Sequence, residues 1–192
     1  MGIFDDLKES LENFFEDVTK KYNHSKQWKE YLLGFRKTHC YVCAKRLHKV
    51  YDVSSLEYLS LGLPEHSNCG CHLDWLRSID VGQATKLGVN GADFYLKYFQ
   101  KLPNYYITKQ YAYGLGWKPW LGNLDKIAPN KMIGGSIYLD RSEKLPKKSG
   151  RIWYECDINY NGGYRNNSRL VYSNDGLIFK TDDHYQRFIA VE

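Results

Sequence analysis

Between residues 151 and 160 the chain reads Arg-Ile-Trp-Tyr-Glu-Cys-Asp-Ile-Asn-Tyr, an alternation that a β-strand sorts onto two faces and a helix would scramble. Ile152, Tyr154, Cys156, Ile158 and Tyr160 take one face, and Arg151, Trp153, Glu155, Asp157 and Asn159 take the other. Glu155 is therefore expected to point away from the core. Further segments at 132–140, 168–174, 177–181 and 185–191, punctuated by Gly162-Gly163 and Asn174-Asp175-Gly176, predict a sheet of five antiparallel strands. Helices precede it. Asn90 reads as the N-cap of a helix over 92–101 that stops before Leu102-Pro103, and Thr108 as the cap of another over 109–115, closed by Gly116. A short turn around 122–127 follows. Helices first and then a run of antiparallel strands give an α+β fold.

Beside Glu155 on the sequence map stand Arg165 and Arg169, and then His184. A carboxylate, two guanidiniums and an imidazole supply the base, charge clamp and acid of metal-free phosphodiester cleavage. The plainer reading of each residue alone is a sheet with a solvated outer face. Charge points toward a polyanionic partner: Lys and Arg against Asp and Glu number 11 against 12 in residues 1–82, and 16 against 10 in residues 83–192. Aromatic residues make up 16% of the chain, enough to stack on bases or to fill cores. No apolar run reaches the roughly 18 residues that a membrane helix needs.

Residues 1–82 carry different signals. Apolar residues at 3, 4, 7, 11, 14, 15 and 18 predict a helix over about 4–20. A second helix is expected after Ser25, with Trp28, Tyr31, Leu32 and Phe35 on one side, and a third short one early in 74–90, running into a linker. Four of the five cysteines cluster as Cys40-Tyr-Val-Cys43 and His66-Ser-Asn-Cys69-Gly-Cys71. The start of the chain lacks a basic stretch followed by an apolar one, so no secretory signal peptide is seen and a cytoplasmic location is expected unless the chain is a fragment of a secreted protein. Without a secretion signal, tight pairs favour metal over disulfides. Cys40, Cys43, His66, Cys69 and Cys71 are the candidate ligands, and zinc is the ion that thiolates with imidazole select. A disulfide pair and buried thiols are the alternatives. His39 and His48 read as surface residues.

The pattern Thr-x-Cys-x2-Cys followed by His-x2-Cys-x-Cys, over roughly residues 38–73, resembles the metal-binding segment of phage minor head, or head-morphogenesis, proteins of the Mu F-like group. That resemblance implies a helical, zinc-binding module over residues 1–82, a phage or delivery assembly as partner, and a virion-associated location. Residues 83–192 carry a denser set: Tyr106-Ile-Thr-Lys109, Leu115-Gly-Trp117, Ile133-Gly-Gly135, Ser149-Gly-Arg151, Asp157-Ile-Asn-Tyr160, Arg165-Asn166, Lys180-Thr181 and Asp183-His-Tyr-Gln186. In that order and spacing they resemble the barnase-like microbial ribonucleases.

The resemblance implies a ribonuclease domain of N-terminal helices packed on a five-stranded sheet, cleaving RNA through a 2′,3′-cyclic phosphate with no cofactor for catalysis. Glu155 matches the family's general base and His184 its general acid. Lys109, Arg165 and Arg169 match the phosphate-binding cations, and Tyr185 the aromatic residue beside the acid. Leu139-Asp140-Arg141-Ser142 matches the guanine-recognition loop, so Asp140, Arg141 and Ser142 are expected to bind the base. Two departures stand out: Ser136 replaces an acidic residue after Ile-Gly-Gly, and Ser142 replaces the acidic residue that pairs with the guanine edge. An acidic, barstar-like inhibitor is the expected protein partner. A toxin of interbacterial competition would share this chemistry, and a non-catalytic RNA-binding or virion structural protein would need the cations but not the acid–base pair.

Overall fold

The computed structural model describes residues 24–34, 40–63, 69–85 and 91–192. Its strands are β1 (His24–Leu32), β2 (Val50–Asp52), β3 (His72–Ile79), β4 (Tyr106–Ile107), β5 (Met132–Tyr138), β6 (Trp153–Asp157), β7 (Arg169–Ser173), β8 (Ile178–Thr181) and β9 (Ile189–Val191). Its helices are α1 (Tyr41–Arg46), α2 (Leu56–Leu59), α3 (Ala92–Phe99), α4 (Lys109–Gly114) and α5 (Leu124–Ile127). Among the described residues the strands join one sheet in the order β2-β1-β3-β9-β8-β7-β6-β5-β4. The expected five strands are β5 to β9, paired antiparallel in sequence order. No helix of the described residues is long and apolar enough to cross a membrane.

Both faces of this sheet are covered. On one, Ala92 and Leu96 of α3 pack on Cys156, Ile158, Leu170, Ile178 and Val191. Asp93 anchors that helix, its fully buried carboxylate accepting from Gly82 N and Ala84 N at 2.7 and 3.0 Å. Thr108 caps α4 as expected, its hydroxyl accepting from Tyr111 N. The other face, expected to be solvated, is a second core: Trp153, Val171 and Phe179 meet Leu145, Phe188, Trp28, Val50 and Leu76. Glu155 lies on that covered face and is only 8% exposed.

Residues 24–79 depart from the sequence reading. The helix expected after Ser25 is strand β1, and the one expected in 74–90 is strand β3. The first error has a local cause. The register of β1 on β3 shifts between His24 and Lys29, and this bulge buries Ser25, Trp28 and Tyr31 at a spacing of three, which imitates a helix. Ser25 even accepts from Trp28 N as a cap would, while donating to Glu192 Oε1 at 2.5 Å. The second error is tertiary: β3 runs parallel to β9, with Ser78 beside Ala190 and Ile79 beside Val191, and that partner lies more than a hundred residues away. The segment is thus not a purely helical module, since its described part holds three strands and two short helices. The helix expected over 4–20, Phe35, His39, His66 and Asn90 lie outside the described residues.

His48 is not a surface residue either. Its side chain is 12% exposed, its Nδ1 lies 2.5 Å from Glu30 Oε1, and its Nε2 accepts from Arg187 Nε at 3.1 Å. A second tie joins the same regions, where Val50 N donates to Lys144 O at 2.7 Å.

Candidate active site

Glu155 sits in the middle of β6, between Ser136 of β5 and Val171 of β7. Lys109 Nζ donates to its Oε1 at 2.6 Å, and the Tyr185 hydroxyl donates to its Oε2. Lys109 gets there because it is the first residue of the capped helix α4. Burial pushes the Glu155 carboxyl up, but the bonds from Lys109 and Tyr185 and the charges of Lys109 and Arg165 outweigh it and hold the group below the ordinary carboxylate range. Ser136, beside Glu155 in register, leaves Glu155 itself as the carboxylate that anchors Lys109.

Asp157, two residues along on the same face, gathers the arginines. Arg165 Nε and Nη2 each bond one of its oxygens at 2.6 Å, a bidentate pair. Arg169, opposite Asp157 in register, is 3% exposed and places Nε 3.0 Å from Asp157 Oδ1, an ion pair outside hydrogen-bond geometry. Its Nη1 donates to Ser168 O and Asn166 Oδ1. Arg165 is therefore the partly exposed cation of the pair and Arg169 the buried one behind it. Sequence reasoning gave Asp157 no role. The available signal was its place two residues from Glu155 with two arginines downstream.

The imidazole comes from the loop between β8 and β9, where a strand was expected to begin at 185. Asp183 builds a turn there instead: its Oδ1 accepts from Thr181 Oγ1, Gln186 N and Arg187 N. His184 and Tyr185 have φ of 58° and 69°, a left-handed conformation that costs energy for residues with a side chain. The turn stands the Tyr185 ring against His184 on one side, 4.7 Å between centroids, and stacks it on Tyr138 on the other at 4.8 Å. Tyr185 thus touches both Glu155 and His184, with Lys109 on the other oxygen of Glu155 and the charges of Arg165 and Arg169 near enough to act on the Tyr185 hydroxyl.

The loop after β5 behaves differently from its sequence reading. Asp140 turns inward, its carboxylate accepting from Lys144 N and Leu145 N at 3.0 and 2.9 Å, and burial raises its pKa. Its side chain is committed to shaping the loop. Arg141 and Ser142 are exposed at the tip, and Glu143 pairs with Lys147 at 2.9 Å.

The cysteines form a separate cluster. Cys40 caps α1, accepting from Cys43 N, and its sulfur lies 3.3 Å from that of Cys43. Cys43 and Cys69 sulfurs are 3.7 Å apart, and those of Cys43, Cys69 and Cys71 all lie within 4.8 Å of one another. These separations exceed the about 2.05 Å of a disulfide. They suit a tetrahedral ion, whose sulfur–sulfur edges are about 3.8 Å when each metal–sulfur bond is about 2.3 Å. The cluster has the geometry to hold a metal.

Comparison with known proteins bears on the same stretch. A family model described as ribonuclease matches residues 92–192. A ribonuclease of Heyndrickxia coagulans is 51% identical over 100 residues, covering 52% of this chain and 91% of that protein. Ribonucleases of Bacillus intermedius and Bacillus pumilus are each 51% identical over 100 residues, again 52% of this chain but 61% of theirs.

Proposed function

The chain belongs to the ribonuclease family, in its barnase-like microbial group, and is an endoribonuclease; from that premise we propose that it cleaves single-stranded RNA by transphosphorylation. Glu155 takes the proton of the ribose 2′-hydroxyl, and that oxygen attacks phosphorus as the bond to the 5′-oxygen breaks. His184 gives its proton to the departing oxygen. In the second stage His184 takes a proton from water, Glu155 returns one to the 2′-oxygen, and the cyclic phosphate opens. Lys109 and Arg165 hold the phosphate and offset charge on its equatorial oxygens, with Arg169 behind them. Tyr185 orients the base and the acid toward each other.

The observation that carries this reading is the buried Glu155 carboxylate, kept ionised by Lys109 and Tyr185 beside an arginine held by a bidentate pair with Asp157. Such a carboxylate is a base at neutral pH, placed where a phosphate would be met by cations. Glu155→Ala and His184→Ala should each lower cleavage of a defined oligonucleotide by on the order of 10²–10⁴, with the circular dichroism spectrum unchanged. Full activity in either variant refutes the roles.

The base loop supports a guanine preference read through its fixed main chain and Arg141, weaker than an acidic residue at position 142 would give. Mapping the cut ends of the oligonucleotide tests it. For residues 1–82 we propose a segment built around a structural zinc held by Cys40, Cys43, Cys69 and Cys71, its strands continuing the sheet of a ribonuclease domain over 83–192. Elemental analysis should find one zinc per chain, lost in Cys43→Ser. The grouping of Lys109, Arg165 and Arg169 also favours an acidic inhibitor protein, through fast electrostatic association.

A further inference from the structure

Two of the most exposed aromatic side chains in the described structure stand on neighbouring loops, one of them next to Arg165. Trp120 is 69% exposed and Tyr164 70%. Neither serves a core, and the main chain that carries them is braced. The Tyr164 hydroxyl donates to Trp120 O at 3.1 Å. Gly122, at φ 57°, brings the two loops so close that a Cβ there would sit 2.9 Å from Gly163 C and Tyr164 N. Cross-bracing stiffens each loop: Lys118 N donates to Asn123 Oδ1 at 2.8 Å, Asn123 Nδ2 to Gly116 O at 3.1 Å, and Tyr160 Oη to Gly163 O at 3.0 Å. The platform also abuts the phosphate cations. Arg165 follows Tyr164 in sequence, and its guanidinium lies 5.7 Å from the ring centre of Trp117, in the same turn as Trp120.

We propose that Trp120 and Tyr164 form a stacking subsite for a base of the RNA substrate lying outside the scissile dinucleotide. Exposed rings on a braced main chain offer apolar faces to any base, and stacking tolerates every sequence because every base has a π-face. The occupant is nucleic acid because Arg165, next to Tyr164, and the exposed Lys118, two residues before Trp120, supply positive charge that suits the phosphates of a strand. This rests on the ribonuclease reading and extends its substrate to a strand longer than two nucleotides.

The test uses the full-length protein with a non-cleavable 2′-O-methyl hexanucleotide, so that binding is read without turnover. Trp120→Leu and Tyr164→Leu should each weaken binding by about 5- to 150-fold, the range of base–aromatic stacking, and Trp120→Phe should restore most of it. In parallel, the ratio of kcat/KM for an RNA hexanucleotide to that for a dinucleotide should fall by a similar factor in the leucine variants. Unchanged hexanucleotide binding in both leucine variants overturns the subsite and leaves the platform to a protein partner. So does failure of Trp120→Phe to improve on Trp120→Leu, which makes the contact apolar rather than stacked. A wild-type protein that binds the hexanucleotide but cleaves no RNA would sink the catalytic reading instead, while the binding series still decides the subsite.

Discussion

The strands β5 to β9 and the strands β1 to β3 belong to one sheet, but they obtain their structure in different ways. In β5 to β9 each strand follows its neighbour through a turn or loop, so alternation and turn residues are decided within a short stretch of chain. In β1 to β3 the deciding contacts are remote: β3 pairs with β9, Ser25 bonds Glu192, and Trp28 and Leu76 enter the core of Trp153 and Phe179. A strand whose neighbour is local announces itself in sequence, and a strand recruited to the far edge of a finished sheet does not.

The comparison breaks most easily at Trp28. If the first strands were an independent unit, Trp28→Ala would leave the unfolding of the ribonuclease residues unchanged. Because Trp28 meets Phe179 edge-on with ring centres 5.5 Å apart, we expect a loss of about 3–5 kcal/mol spread over the whole sheet. Calorimetry should show one transition moved down, and a new early transition with the main one in place would separate the two regions.

A smaller effect probes the catalytic side alone. Lys109→Met removes a charge-assisted hydrogen bond from Glu155, an interaction of about 1.5–3 kcal/mol. The folded Glu155 pKa lies below its unfolded value, so its stabilisation is present above the unfolded pKa and is lost as pH falls through the folded one. The acid limb of the wild-type kcat/KM profile should accordingly lie below pH 4.5, the ordinary value for this group. In Lys109→Met burial meets less opposition, and the limb should move up; an unmoved limb would show that Lys109 does not set it.

The smallest test concerns local sequence signals. Thr108→Ala should cost about 1 kcal/mol through loss of the cap on α4. Denaturant titration measures it, and no change would mean that tertiary contacts, not the cap, fix Lys109 in place.

These contrasts also set what could be read from the chain alone. The α+β class, the five strands, the cap at Thr108 and the ribonuclease family over residues 92–192 were legible because propensity, pattern and fold agree there. The covered second face of β6 was not, since Trp28, Val50 and Leu76 arrive from a region whose bulge imitates a helix. Nor was the turn at His184 and Tyr185, where left-handed backbone is imposed by the Asp183 carboxylate. Asp140 shows a subtler limit. A matched position revealed its loop, but only the geometry revealed that its carboxylate faces its own main chain.

The hydrogen bond from Val50 N to Lys144 O has an entropic consequence. Leu145, the next residue, is fully buried, and Lys144 Nζ donates to Gln186 O at 2.8 Å, so the stretch after Asp140 is pinned on three sides before any nucleotide arrives. A loop already fixed in the resting protein surrenders little freedom when a base docks, and more of each contact then survives as net affinity. Under the base-binding role proposed for this loop, the strand at the edge of the sheet thereby supports discrimination in a loop that follows it by almost ninety residues.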